Sequence, residues 1–155
     1  MFRLTLNESI CVNLLPGFRV GFDLVKISEL ASSIHHFGDV FKRKLFTKSE
    51  LNYAHSGTGL CEERLATRFA AKEAVIKALQ LSEAGIGWRE IEVLKLPDGN
   101  CEVALHGLVA KLAKSMGVAE ISLSLSHDGD YAGAVVALRC SHTKVINSPY
   151  NRHPL

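Results

Sequence analysis

The sequence predicts an α+β fold, a single small domain in which antiparallel hairpins pack on a long helix. Three observations carry that expectation. The run from Glu62 to Gln80 contains no proline or glycine and is rich in strong helix formers. Two pairs of strand-like runs, Ile91 to Leu96 with Cys101 to Leu105 and Ile121 to Ser126 with Tyr131 to Leu138, are each joined through a short turn. The length of 155 residues suits one domain, and a composition 47% hydrophobic and 22% charged suits a packed core rather than disorder.

The elements follow in order. Phe2, Leu4 and Leu6 alternate with polar residues, the pattern of a short half-buried strand. Asn7, Glu8 and Ser9 interrupt the apolar character that a signal peptide needs. No run approaches the roughly 18 apolar residues of a membrane span, so a cytoplasmic protein without a membrane partner is expected. Phe18 to Val25 reads as a buried strand with Asp23 near its end. Ser28 to His36 reads as a helix, with Leu30 and Ile34 at helical spacing and Gly38 as its breaker. Val40, Phe41 and Leu45 continue the apolar pattern among Lys42, Arg43 and Lys44. Thr47 and Glu50 form a capping box that starts a short helix. After the long helix, Gly85 to Trp88 turn the chain into the first hairpin, which bends at Pro97 to Asn100. Leu108 to Met116 reads as an amphipathic helix closed by Gly117. The last hairpin turns at His127 to Asp130. Residues 1–17 are thus an N-terminal extension, 18–140 the domain, and 141–155 a mobile tail with two prolines.

Eighteen basic residues against sixteen acidic ones argue against a nucleic-acid partner. Residues 42–77 alone hold eight basic and four acidic side chains, a local excess that suits a small phosphorylated ligand. Cys11, Cys61, Cys101 and Cys140 form no C-x-x-C pair, so they read as reduced thiols, not as a zinc or redox motif.

The long helix carries charges on its apolar face. At about 100° per residue, with Arg68 at zero, Lys72 falls near 40° between Leu79 and Leu65, and Arg68 lies on the margin beside Val75. Two readings stand equally: basic heads snorkelling past the core, or a stripe that meets a phosphate ligand or a subunit boundary. Ala66, Ala70, Ala74 and Ala78 form a separate stripe that would let another backbone approach closely. Glu73 and Lys77 are four residues apart, and the simplest reading is a surface ion pair. Asp23 is a helix cap on the plain reading. On the sharper one, Asp23 and Glu73 are the one or two carboxylates that Mg²⁺ takes before water and substrate phosphates complete its shell. His127 is a lone histidine in a turn. His35 and His36 point about 100° apart and do not chelate.

Four segments in order, GFDLV, FKRKLFTKSEL, RLATRFAAKEAVIKAL and SLSHDGDYAGAVV, resemble the holo-acyl-carrier-protein synthase family of 4′-phosphopantetheinyl transferases, from Val20 to Leu138. The resemblance implies a cytoplasmic enzyme that moves phosphopantetheine from coenzyme A to a serine of an acyl carrier protein and releases adenosine 3′,5′-bisphosphate. By position it implies Asp23 and Glu73 as metal ligands, for Mg²⁺ or Mn²⁺. It places Lys44, Arg68, Lys77 and His127 at the coenzyme A phosphates, with Lys44 where relatives often carry arginine. Glu73 is then the first candidate base and His127 the second, with Lys77 beside them. The resemblance also implies a homotrimer with sites between subunits. One position departs. Glu29 stands six residues after Asp23, where relatives commonly carry an arginine that grips an acidic carrier, which points to a dedicated, non-standard carrier. The alternatives are a coenzyme A-binding homologue without turnover and a purely structural oligomer.

Overall fold

The computed structural model describes residues 17–57 and 59–141. The strand expected at Phe2 to Leu6, Cys11 and the tail from His142 onward lie outside the described residues. The element order is β1 (Gly17–Lys26), α1 (Ile27–Leu45), α2 (Lys48–His55), α3 (Cys61–Leu79), β2 (Ile91–Lys95), β3 (Cys101–Leu105), α4 (Gly107–Ser115), β4 (Val118–Asp128) and β5 (Tyr131–Cys140). A three-stranded antiparallel sheet runs β1–β5–β4, and β2 and β3 form a separate hairpin. This is the small α+β domain that the sequence predicts.

Helix α3 packs across one face of the larger sheet. Ala70, Ala74, Val75, Ala78 and Leu79 meet Ala134, Val136 and Leu138 of β5 in one core. The alanine stripe does what its small side chains allow. A methyl group on Gly21 of β1 would run into the backbone of Ala74 and Ala78, so strand and helix touch main chain to main chain. Gln80 then takes a left-handed conformation (φ 57°) and ends the helix.

Strand β1 differs from the expected buried strand. Its apolar residues Phe18, Val20, Phe22 and Leu24 share one face, because side chains alternate along a strand. That face points away from α3 and is exposed. The positions turned toward the helix are Gly21, Asp23 and Val25. The expected break falls at Gly38, which is not helical (φ 71°) and divides α1 at a kink into two helical arms. The capping box forms as expected. Thr47 Oγ1 accepts from the Glu50 N–H, and Glu50 Oε2 accepts from the Thr47 N–H at 2.8 Å.

Lys72 adopts neither arrangement that its place on the helix wheel suggested. It is fully buried and donates to Glu50 Oε2 at 2.9 Å and to the carbonyls of Trp88 and Ile91. Glu50 Oε1 accepts from the Val93 N–H at 2.9 Å. The charge in the apolar stripe therefore ties α3, α2 and β2 together inside the protein, because a buried ammonium needs a partner when water is excluded. Burial pushes the Lys72 ammonium down, and the Glu50 carboxylate opposes that shift.

Candidate active site

The candidate residues fall on two flanks of α3. Asp23 sits on the helix-facing side of β1, opposite Ala134 of β5, which is in turn opposite Leu125 of β4. His127 is two residues beyond Leu125 on the same side. Strands lie about 4.8 Å apart, so Asp23 and His127 flank the strip of β5 that α3 covers. On α3, Glu73 lies roughly 140° around the axis from Arg68. A cavity of about 460 Å³ on the β1 flank is lined by Asp23 and Glu73, with Lys26, Glu29 and Phe41 of the neighbouring elements. A second cavity, of about 240 Å³ on the β4 flank, is lined by Arg68 and His127, with Tyr53, Arg64, Lys95 and Ser126. The two cavities share no residue.

On the β1 flank, the expected pair between Glu73 and Lys77 does not form. Lys77 Nζ instead donates to Asp23 Oδ1 at 2.6 Å and to the Phe22 carbonyl at 3.2 Å. Nor does Asp23 cap a helix. The N-terminus of α1 is capped from the β4–β5 turn, where Asp130 takes the Ser28 N–H on Oδ1 (2.9 Å), the Ser28 hydroxyl on Oδ2 (2.6 Å) and the Ile27 N–H on its backbone carbonyl (2.8 Å). These bonds hold the Asp130 carboxyl below the usual carboxylate range. Asp23 is thereby left for the cavity. Among the described residues nothing donates to Asp23 Oδ2 or to either oxygen of Glu73. Burial, with the nearby charge of Asp23, raises the Glu73 carboxyl above its ordinary range, and Lys77 only partly offsets this. Two carboxylates lining one cavity, with the charge of Asp23 disfavouring ionisation of Glu73, suit a hard divalent cation. No group of three or more acidic, histidine or cysteine side chains gathers for a metal among the described residues. Any ion here would draw the rest of its shell from water or substrate.

On the β4 flank, Arg68 is 2% exposed. Nη1 donates to the Arg64 carbonyl at 3.1 Å, and the guanidinium lies 4.1 Å over the Tyr53 ring. Nε and Nη2 are buried with no partner among the described residues. Arg68 lines the cavity, and a buried cation that keeps unfilled donors suits an anionic partner. Burial pushes the Arg68 guanidinium down, and the nearby Glu50 carboxylate and Tyr53 oppose that shift. Arg64, Lys95 and His127 line the same space. Lys44 is exposed in the last turn of α1 and lines neither cavity. Tyr53, Arg64, Lys95 and Asp130 have no local pattern that singles them out in the sequence. Only the packing of α2, α3 and the two hairpins brings them to the site.

The sequence model of the 4′-phosphopantetheinyl transferase superfamily matches residues 19–136. The chain belongs to that superfamily, on its holo-acyl-carrier-protein synthase branch, and is a transferase. The holo-[acyl-carrier-protein] synthase of Koribacter versatilis is 39% identical over 119 residues, which make up 76% of this chain and 94% of that protein. Among solved structures, a synthase from Chronobacterium ammoniagenes, described as a complex with CoA, matches with TM-score 0.72 and 39% identity. That match covers 81% of this chain and 99% of the other. The Helicobacter pylori enzyme in complex with coenzyme A matches with TM-score 0.67 and 26% identity, over 77% of this chain and 98% of the other.

Proposed function

We propose that this chain transfers the 4′-phosphopantetheine of coenzyme A to a serine hydroxyl of an acyl carrier protein and releases adenosine 3′,5′-bisphosphate. The observation that carries the reading is the convergence of Asp23 and Glu73 on one cavity, with Lys77 held beside them. The coenzyme A complexes of similar synthases support the donor.

Asp23 and Glu73 would hold Mg²⁺, or Mn²⁺, which share a preference for oxygen ligands. When bound, the ion neutralises charge that builds on the pyrophosphate as its bond breaks. The serine oxygen attacks the phosphorus that bears the pantetheine arm, and the bond to the bisphosphate breaks. Glu73 takes the serine proton directly or through water, with His127 as the second candidate. Lys77 donates to Asp23 and to the Phe22 carbonyl, which leaves one ammonium proton for a phosphate oxygen. Arg68, with two unfilled donors, and His127 receive another phosphate. Lys44, at the exposed end of α1, can reach a ligand only from outside both cavities.

One copy carries the carboxylates and the Arg68 cavity on opposite flanks of α3. A ligand that uses both therefore fits best between two copies. The exposed apolar face of β1, with Val135 and Tyr131 of β5 beside it, supplies a surface for self-association. A homotrimer with one site at each boundary is the arrangement we favour, and sedimentation analysis tests it. A cytoplasmic setting suits the free thiols of Cys61, Cys101 and Cys140. No helix among the described residues is long and apolar enough to cross a membrane.

The decisive experiment incubates the protein with coenzyme A, Mg²⁺ and a panel of carriers, and reads intact carrier mass. A phosphopantetheine adduct that needs the divalent ion supports the reading. Coenzyme A binding without any adduct would favour a homologue that binds and does not turn over.

A further inference from the structure

Three thiols stand among the described residues, and the transfer reaction uses none of them. Cys140 is buried in the core. Cys61 opens α3 outside both cavities, and burial raises its thiol. Cys101 is half-buried and lines the Arg68 cavity.

Its place follows from the β2–β3 hairpin. Cys101 is the first residue of β3 and stands directly opposite Lys95 of β2, so the two side chains share one face. Both line the cavity together with Arg64 and Arg68 of α3. Those three cationic side chains outnumber the single carboxylate there, Glu63. Arg68 keeps Nε and Nη2 buried and unpartnered among the described residues, which suits an anionic partner. Cys101 is close to that guanidinium, because its sulfur, when ionised, is the strongest of the influences that oppose the downward shift of Arg68. A thiol and an anion-seeking cation thus share one cavity of about 240 Å³.

We propose that Cys101 is a modification site, at which a small anionic disulfide docks on the cationic cavity, exchanges with the thiol and closes the cavity to coenzyme A. The exchange is balanced as it stands. The thiol loses its proton to solvent, and its sulfur attacks one sulfur of the disulfide. A new bond forms to Cys101 as the old sulfur–sulfur bond breaks. The departing half leaves as a thiolate with the electron pair, so Cys101 is oxidised and the departing sulfur reduced. The retained half then occupies the space beside Arg68. A reducing thiol reverses the step and reopens the cavity. Loss of coenzyme A rests on the transferase reading above, whereas the exchange itself does not.

The test exposes the protein to oxidised glutathione, to coenzyme A disulfide and to the neutral bis(2-hydroxyethyl) disulfide. Peptide mapping by mass reads the rate at each cysteine, normalised to the rate of each reagent with a free cysteine peptide. At Cys101 the two anionic reagents are expected to react about tenfold faster than the neutral one, an advantage that salt should erode. A faster coenzyme A disulfide would assign phosphate as the group recognised, and a faster glutathione disulfide would assign carboxylate; either supports the anionic class. Adducted protein should lose coenzyme A binding in calorimetry and regain it with dithiothreitol. Cys101→Ala should keep its own coenzyme A affinity through the same exposure. A neutral reagent that reacts as fast, modification of Cys61 ahead of Cys101, or adducted protein that still binds coenzyme A would overturn the proposal. The transferase reading fails separately, if untreated protein modifies no carrier, and the normalised disulfide rates decide the exchange in either case.

Discussion

Replacing Glu50 with alanine removes the one carboxylate that, among the described residues, bonds the Lys72 ammonium. Lys72 then keeps two carbonyl acceptors and only the unbonded charge of Glu92 nearby, at a site with no solvent exposure. The Val93 N–H loses its acceptor, and the capping box loses one of its two bonds. Breaking a buried pair from one side costs about 3–5 kcal/mol. An orphaned buried N–H costs about 1–3 kcal/mol, and part of that is already counted in the pair. We therefore expect Glu50→Ala to lose about 4–5 kcal/mol, a large share of the roughly 5–15 kcal/mol that holds a domain. Urea denaturation measures this as a fall in midpoint at constant slope. The double variant Glu50→Leu with Lys72→Met removes both charges and should recover more than half of the loss, because hydrophobic replacement of a buried pair is close to neutral. A Glu50→Ala variant that loses less than about 1 kcal/mol would place the Lys72 charge in solvent and refute the reasoning.

Arg68 lies one turn from Lys72 and should behave in the opposite way. Its Nε and Nη2 have no partner to lose, so Arg68→Met should change stability by under about 1 kcal/mol in calorimetry while coenzyme A affinity collapses. Gly21→Ala should destabilise by about 3 kcal/mol, since the added methyl meets helix backbone rather than a movable side chain, and thermal melting reads this. Glu73 has a raised carboxyl, so its ionised form costs the metal-free protein stability. That cost is absent below the unfolded pKa and complete above the folded one, and a bound divalent ion offsets it. Thermal-shift scans should therefore show Mg²⁺ raising the melting temperature more at neutral pH than at pH 4, and Glu73→Gln should abolish the effect. Asp130 is depressed, so its contribution is present above the unfolded pKa and is lost as pH falls through the folded value. Ser28→Ala should move the Asp130 carboxyl up toward its ordinary value in an NMR titration.

Much of the fold could be read from the residues because each element announces itself locally. The capping box at Thr47 and Glu50, the unbroken helix former run and the hairpin turns all depend on neighbours a few positions away. The alanine stripe even foretold the close approach of another backbone, although not that Gly21 would supply it. What local pattern could not show is which face of a strand looks inward. The apolar side of β1 points outward because Gly21 and Asp23 take the side under α3. The site was half legible for the same reason. Asp23, Glu73, Arg68 and His127 stand out by charge and position. Their partners are set by contacts between residues tens of positions apart, such as Lys77 with Asp23 and Lys72 with Glu50. The wheel put Arg68 and Lys72 in one apolar stripe and could not tell that one has a carboxylate within reach and the other has a cavity.

The division of the site between two flanks of α3 makes subunit mixing the most direct test. Glu73→Gln and Arg68→Ala should each be inactive as pure proteins in the intact-mass carrier assay. In assemblies formed by co-refolding equal amounts, one boundary in four joins an intact Glu73 from one copy to an intact Arg68 from its neighbour. Activity should then return to about a quarter of the wild-type rate. Mixed assemblies, verified by mass, that remain as inactive as the two pure variants would contradict a site shared between copies.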